Sequence, residues 1–203
     1  MNKIVCYGDS NTFGFVPAIG TRFDENTRWT GILAQKFKNE YDVVEEGANN
    51  RTGCSDNPAG FLYSAQRHFP KIIAKQKDVE FLILSIGSND LQYQYDISLK
   101  NFERGIENLI QIAQKYVRNI ILVPSIILDE NVLKGMFNVQ FDETSISKSK
   151  KYGKVYKKLA DLYGCRVFDI NEFARPSSKD GLHYDEESHR LIAENLEKFI
   201  REL

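Results

Sequence analysis

Four short turns hold most of the residues able to do chemistry. They are Gly8-Asp9-Ser10-Asn11-Thr12-Phe13-Gly14, Gly47-Ala48-Asn49-Asn50-Arg51-Thr52-Gly53, Gly87-Ser88-Asn89-Asp90 and Asp180-Gly181-Leu182-His183. A serine hydroxyl becomes a nucleophile when a neighbouring base takes its proton. Ser10 is the candidate nucleophile and His183 the candidate base. Of the 3 histidines, His68 falls in a helical run and His189 inside the last helix. Asp180, just before His183 in the chain, is spaced to accept the other ring N–H and fix the tautomer. A tetrahedral intermediate also needs donors aimed at its oxyanion. The backbone N–H of Ser10, one from the Gly47–Gly53 turn and the side-chain amide of Asn89 are candidates. Together these groups suffice for acyl transfer.

The turns follow strand-like segments. Continuous apolar runs at residues 4–7, 41–44, 81–86, 120–123 and 166–168 predict five strands buried on both faces, as in a parallel sheet. Helical periodicity lies between them. Leu99, Phe102, Ile106, Leu109, Ile110, Ala113 and Val117 share one face, with Ser98 as N-cap. Leu191, Ile192, Leu196, Phe199, Ile200 and Leu203 share another, with Asp185 as N-cap and Glu186 and Glu187 facing the helix dipole. Residues 29–37, 62–74 and 152–163 are weaker helical candidates. Alternating strands and helices predict an α/β fold of three layers, α/β/α, around a five-stranded parallel sheet. In such sheets ligands bind beyond the carboxyl ends of the strands, where these turns gather. Residues 128–149 have no clear assignment; they read as an insertion serving as a lid or oligomer contact, or as a loop packed on the core.

Composition sets limits. The 203 residues fit one domain, expected to span 1–203. Lys+Arg total 27 and Asp+Glu 28, a net charge of -1 that argues against a nucleic-acid binder. No apolar run reaches the ~20 residues of a membrane helix, and the start MNKIVCYGDS lacks the ~7–15 apolar residues of a secretory signal. Three cysteines, Cys6, Cys54 and Cys165, without CxxC spacing read as free thiols rather than a metal or disulfide framework. A cytoplasmic protein is expected.

The four turns, in this order and spacing, resemble the SGNH (GDSL-type) hydrolases. The resemblance spans the chain from the first strand to the last helix. It is closest to the bacterial arylesterase/acyltransferase branch, through Phe13-Gly14-Phe15-Val16-Pro17, Arg22-Phe23, Arg28-Trp29-Thr30-Gly31, Leu33-Ala34-Gln35, Glu45-Glu46-Gly47 and Arg51-Thr52. It implies a flavodoxin-like sheet, a Ser10–His183–Asp180 triad, no metal or other cofactor, and a small-molecule ester as substrate: short acyl esters first, acetylated sugars next, and lysophospholipids or acyl thioesters third. It also implies an oxyanion hole of Ser10, the second turn and Asn89. Asn50 stands where many members have the glycine that donates from the second turn; any non-proline residue carries that N–H, and Asn tolerates unusual backbone angles. Asn11 replaces the leucine of the family's common name, at a position read as non-catalytic. Asp9, Phe13 and Phe15 are candidate substrate contacts. Asp9 is equally placed to hold loop N–H groups, and the two phenylalanines to fill core. This branch often forms homo-oligomers, which the apolar residues of 128–149 would suit.

Rival readings fail on motifs. A haloacid-dehalogenase phosphatase needs a second carboxylate after Asp9, where Asn11 stands. Neither a Gly-x-Ser-x-Gly elbow nor a Gly-x4-Gly-Lys-Ser/Thr loop occurs. A phosphate- or flavin-binding module built on the Gly8–Gly14 turn stays open, whereas Ser10, Asn89, Asp180 and His183 together argue against a degenerate hydrolase that only binds.

Overall fold

The computed structural model describes residues 1–203. Five strands, β1 (Lys3–Gly8), β2 (Asp42–Gly47), β3 (Val79–Ser85), β4 (Asn119–Val123) and β5 (Arg166–Val167), form one parallel sheet in the order β2-β1-β3-β4-β5. The central strands are the apolar ones. Ile4, Val5, Cys6 and Tyr7 of β1, Phe81 to Leu84 of β3 and Ile120 to Val123 of β4 are all buried. Each aliphatic side chain so placed contributes about 1.5–3 kcal/mol.

Six α-helices complete the layers: α1 (Ser10–Phe13), α2 (Trp29–Lys36), α3 (Ala65–Ile73), α4 (Leu99–Ala113), α5 (Glu143–Tyr163) and α6 (Glu186–Arg201). α2 packs on α6, while α4 packs between α3 and α5. A continuous core of 44 buried residues joins the sheet to both helical layers. The expected caps are present: Ser98 accepts from the Asn101 N–H and Asp185 from the Ser188 N–H. No helix is long and apolar enough to cross a membrane.

The structure departs from the sequence reading in three places. β2 runs on through Glu45 and Glu46, because it is an edge strand and its residues stay half-buried. The helix expected over 62–74 is a 3-10 turn (Phe61–Tyr63) followed by α3. The segment 128–149 packs partly on the core, the second of its two expected forms, but it is not all loop. Leu128, Val132 and Phe141 are buried in the core, and α5 begins at Glu143, nine residues before the expected 152.

The sheet order places a topological switch beside β1. The chain moves from β1 out to β2, then crosses back to β3 on the other side of β1. The turns after β1 and β3 therefore flank one crevice at the carboxyl edge of the sheet.

Candidate active site

β1 delivers Ser10 through a tight turn. A side chain at Gly8 would lie 2.1 Å from Thr12 Oγ1 and 2.2 Å from the Ser85 carbonyl, so only glycine fits. Asp9 then caps α1, its Oδ1 accepting the Asn11 N–H at 3.1 Å. Ser10 becomes the first residue of α1, where its own N–H has no intrahelical acceptor.

Opposite it, residues 177–184 hold a histidine by its backbone and its ring. His183 Nε2 lies 2.9 Å from Ser10 Oγ, and His183 Nδ1 lies 2.9 Å from Asp180 Oδ2. Asp180 Oδ1 accepts the N–H groups of Leu182 at 3.0 Å and His183 at 2.9 Å; Oδ2 also accepts that of Ala18 at 3.2 Å. Burial by itself would raise the Asp180 carboxyl. The bonds from the His183 ring and the backbone outweigh it and hold that carboxyl below its ordinary value. An ionised Asp180 keeps the proton on Nδ1 and leaves Nε2 free to accept from Ser10. Ser10, His183 and Asp180 are 5%, 2% and 0% exposed, so the three side chains lie in a largely dry setting.

Three donors near this pair's turns keep a hydrogen without a partner. The Ser10 N–H is one. The Asn50 N–H is a second: Asn50 adopts a left-handed conformation with φ 58° at the outer bend of the second turn, and its N–H bonds to nothing in the chain. Asn89 Nδ2 is the third. One of its hydrogens goes to the Arg51 carbonyl at 3.0 Å, leaving the other free, and Asn89 Oδ1 accepts from Gln92.

Buried polar bonds fix these turns to one another. Ser88 donates its hydroxyl and its N–H to Asp9 Oδ2, tying the β3 turn to the nucleophile turn. Asp90 accepts three consecutive N–H groups, from Gly53 (2.6 Å), Cys54 (2.8 Å) and Ser55 (2.9 Å), tying the β3 turn to the second turn. Arg51, 1% exposed, donates to the carbonyls of Gly8, Glu46 and Leu62 and stacks over Tyr7. The site is thus assembled by folding and does not wait for a ligand.

A family model of GDSL-like lipases/acylhydrolases matches residues 4–196. The chain belongs to this family. Among solved structures, it is similar to an aryl esterase from M. smegmatis in its inhibitor-bound form, at 25% identity over 100% of both chains and a TM-score of 0.88. It is also similar to a carbohydrate acetylesterase family member from Sinorhizobium meliloti, at 26% identity over 99% of this chain and 98% of that one, with a TM-score of 0.91. No curated protein matches the sequence.

In this GDSL-family chain the sequence-predicted residues divide. Ser10, His183, Asp180, Asn50 and Asn89 lie on turns that the bonds above draw together. Phe15 stacks on the His183 ring with centroids 4.1 Å apart. Asp9 is 3% exposed and both of its oxygens are engaged within the chain, which fits the bracing one of its two expected roles rather than the substrate contact. Phe13 lies under the Arg22 guanidinium, 4.8 Å from its carbon, rather than against His183. A carboxylate capping α1 also disfavours a phosphate on the Gly8–Gly14 turn. Sequence reasoning missed Phe137, whose ring lies 5.2 Å from that of His183 and 6.1 Å from that of Phe15. It sits in the stretch without periodicity, and no local signal marks it. It also passed over Arg22, Arg28 and Thr30 as a set. All three bond to Glu45, whose carboxyl burial would raise but Arg28, Thr30 and Arg22 together pull below its ordinary value.

Proposed function

We propose that this protein is a serine esterase acting on small acyl groups, with Ser10 as nucleophile, His183 as base and Asp180 as the group that orients His183. The observation that carries this is the buried chain from Ser10 Oγ to His183 to Asp180, both links at 2.9 Å. Ser10 Oγ attacks the ester carbonyl carbon as its proton passes to His183 Nε2. The carbonyl oxygen becomes the oxyanion, held by the N–H groups of Ser10 and Asn50 and the free amide hydrogen of Asn89. The C–O bond to the alcohol breaks, and His183 returns the proton to the departing oxygen. Water, or a second alcohol, then gives its proton to His183 and attacks the acyl-enzyme, and Ser10 recovers its hydrogen.

The aromatic wall bears on substrate class. Phe15 and Phe137 flank His183, the group that returns the proton to the departing alcohol, and suit a flat leaving group. The aryl esterase and carbohydrate acetylesterase neighbours support a short acyl group, the second leaving an acetylated sugar as the alternative substrate. Homo-oligomerisation belongs to this proposal, since Met136 and Val139 stand exposed on the 134–142 stretch. So does a reducing, cytoplasmic setting, in keeping with three unpaired cysteines.

The test is hydrolysis of p-nitrophenyl acetate, butyrate and octanoate by the wild type and Ser10→Ala. Activity on the acetate that disappears in the variant and falls with chain length is the expected result. A fully active Ser10→Ala protein would refute the mechanism. Octanoate as the best substrate would refute the short acyl pocket.

A further inference from the structure

We propose that Asn11 is a positioning residue that sets the reach of His183 to Ser10; this rests on the esterase reading above. Asn11 follows the nucleophile directly in the chain, and its side chain grips the backbone on both sides of the base. Asn11 Nδ2 donates to the Leu182 carbonyl at 3.2 Å, and the Tyr184 N–H donates to Asn11 Oδ1 at 3.2 Å. The amide orientation is fixed by its partners, because a carbonyl only accepts and a backbone N–H only donates. Asn11 is 6% exposed, so water does not compete for these bonds. Its own carbonyl accepts from the Trp29 indole N–H at 3.0 Å, which anchors this end of the clamp to α2.

The other restraints on His183 do not do this. Asp180 ties the loop to itself and to Ala18. Apart from the Ser10–His183 pair, the two Asn11 bonds are the only hydrogen bonds joining residues 8–14 to 180–184. The reacting oxygen and the accepting nitrogen therefore sit at the corners of one small frame. Leucine at position 11, as in the family's common motif, would leave the Leu182 carbonyl and the Tyr184 N–H without partners in a buried place. An amide here does work that the apolar residue cannot.

The experiment compares wild type, Asn11→Leu and Asn11→Asp. Asn11→Asp keeps the acceptor for Tyr184 and loses the donor to Leu182. Two rates are read: labelling of Ser10 by a fluorophosphonate, and turnover of p-nitrophenyl acetate per labelled site. The expected result is a fall of about 10²-fold in both for Asn11→Leu with KM little changed, and a smaller fall for Asn11→Asp, as for a misplaced catalytic pair. Counting only labelled sites removes molecules that have not folded. Wild-type rates per site in either variant, whatever the melting temperature, overturn the proposal. Should Asn11→Leu fail to fold, Asn11→Asp decides alone. A wild type that neither labels nor turns over defeats the esterase reading itself and the proposal with it, whereas a wild type that does both, matched by its variants, defeats the proposal only.

Discussion

Ser88 binds one oxygen of Asp9 twice, through its hydroxyl at 2.6 Å and its backbone N–H at 3.3 Å. The bond joins the two sides of the switch crevice, one carrying Ser10 and the other Asn89. Burial raises the Asp9 carboxyl, and the Ser88 and Asn11 bonds work against that rise. Removing the Ser88 hydroxyl leaves a buried carboxylate short of a donor. Ser88→Ala is expected to lose about 1.5–3 kcal/mol of stability, the range for hydrogen bonds to charged groups. Urea unfolding followed by circular dichroism measures it, and a variant as stable as wild type would remove Asp9 from its bracing role.

Asp180 and Ser10 should differ in what their loss costs. Ser10→Ala removes the nucleophile and is expected to reduce kcat by about 10⁶-fold, while Asp180→Ala leaves nucleophile and base in place and should cost about 10⁴-fold. Asp180 also accepts three backbone N–H groups, so its variant should melt at a lower temperature while Ser10→Ala should not. Steady-state kinetics beside thermal denaturation check both halves. Equal melting temperatures would count against the backbone role.

Asn89→Ala removes the one side-chain donor offered to the oxyanion. A loss of about 10²–10³-fold in kcat with KM nearly unchanged is expected. An unchanged kcat would mean that Ser10 and Asn50 hold the oxyanion without it.

His189 makes stability depend on pH. Burial beneath α2 pushes its pKa down to about 3, and its Nδ1 accepts the Trp29 N–H at 3.3 Å. The folded state thus favours neutral His189, while the unfolded chain takes up the proton near pH 6.5. The contribution is fully present above pH 6.5 and falls as pH drops from there towards 3. The slope from this group is at most about 1.4 kcal/mol per pH unit. Unfolding measured at pH 7, 6, 5 and 4 should show that decline. His189→Gln should flatten it by about one proton, and an unchanged slope would contradict the assignment.

The parts legible in sequence are those where one physical signal acted alone. β1, β3 and β4 lie inside the sheet, and an unbroken apolar run is what burial on both faces requires. Asp185 and Ser98 are caps with the expected side-chain bonds. The beginning of α5 was hidden because serine carries its buried face. Ser145 donates to the Leu91 carbonyl and Ser149 accepts the Leu128 N–H, so the first two turns pack through hydroxyls amid lysines. The site divides in the same way. Ser10, His183, Asp180 and Asn89 show in residue type and motif. Asn11 and Phe137 do not, since each acts through a neighbour distant in the chain. An Asn that clamps a remote loop looks, in sequence, like any turn residue.

The bond between Ser10 and His183 spans 173 positions. A ribosome adding about 5–20 residues per second makes the serine roughly 10–35 s before the histidine. Throughout that interval the hydroxyl has no base, and the four strands β2 to β5 are all synthesised before one arrives. The nascent chain is thereby chemically silent, and the first turnover reports that its two distant halves have met.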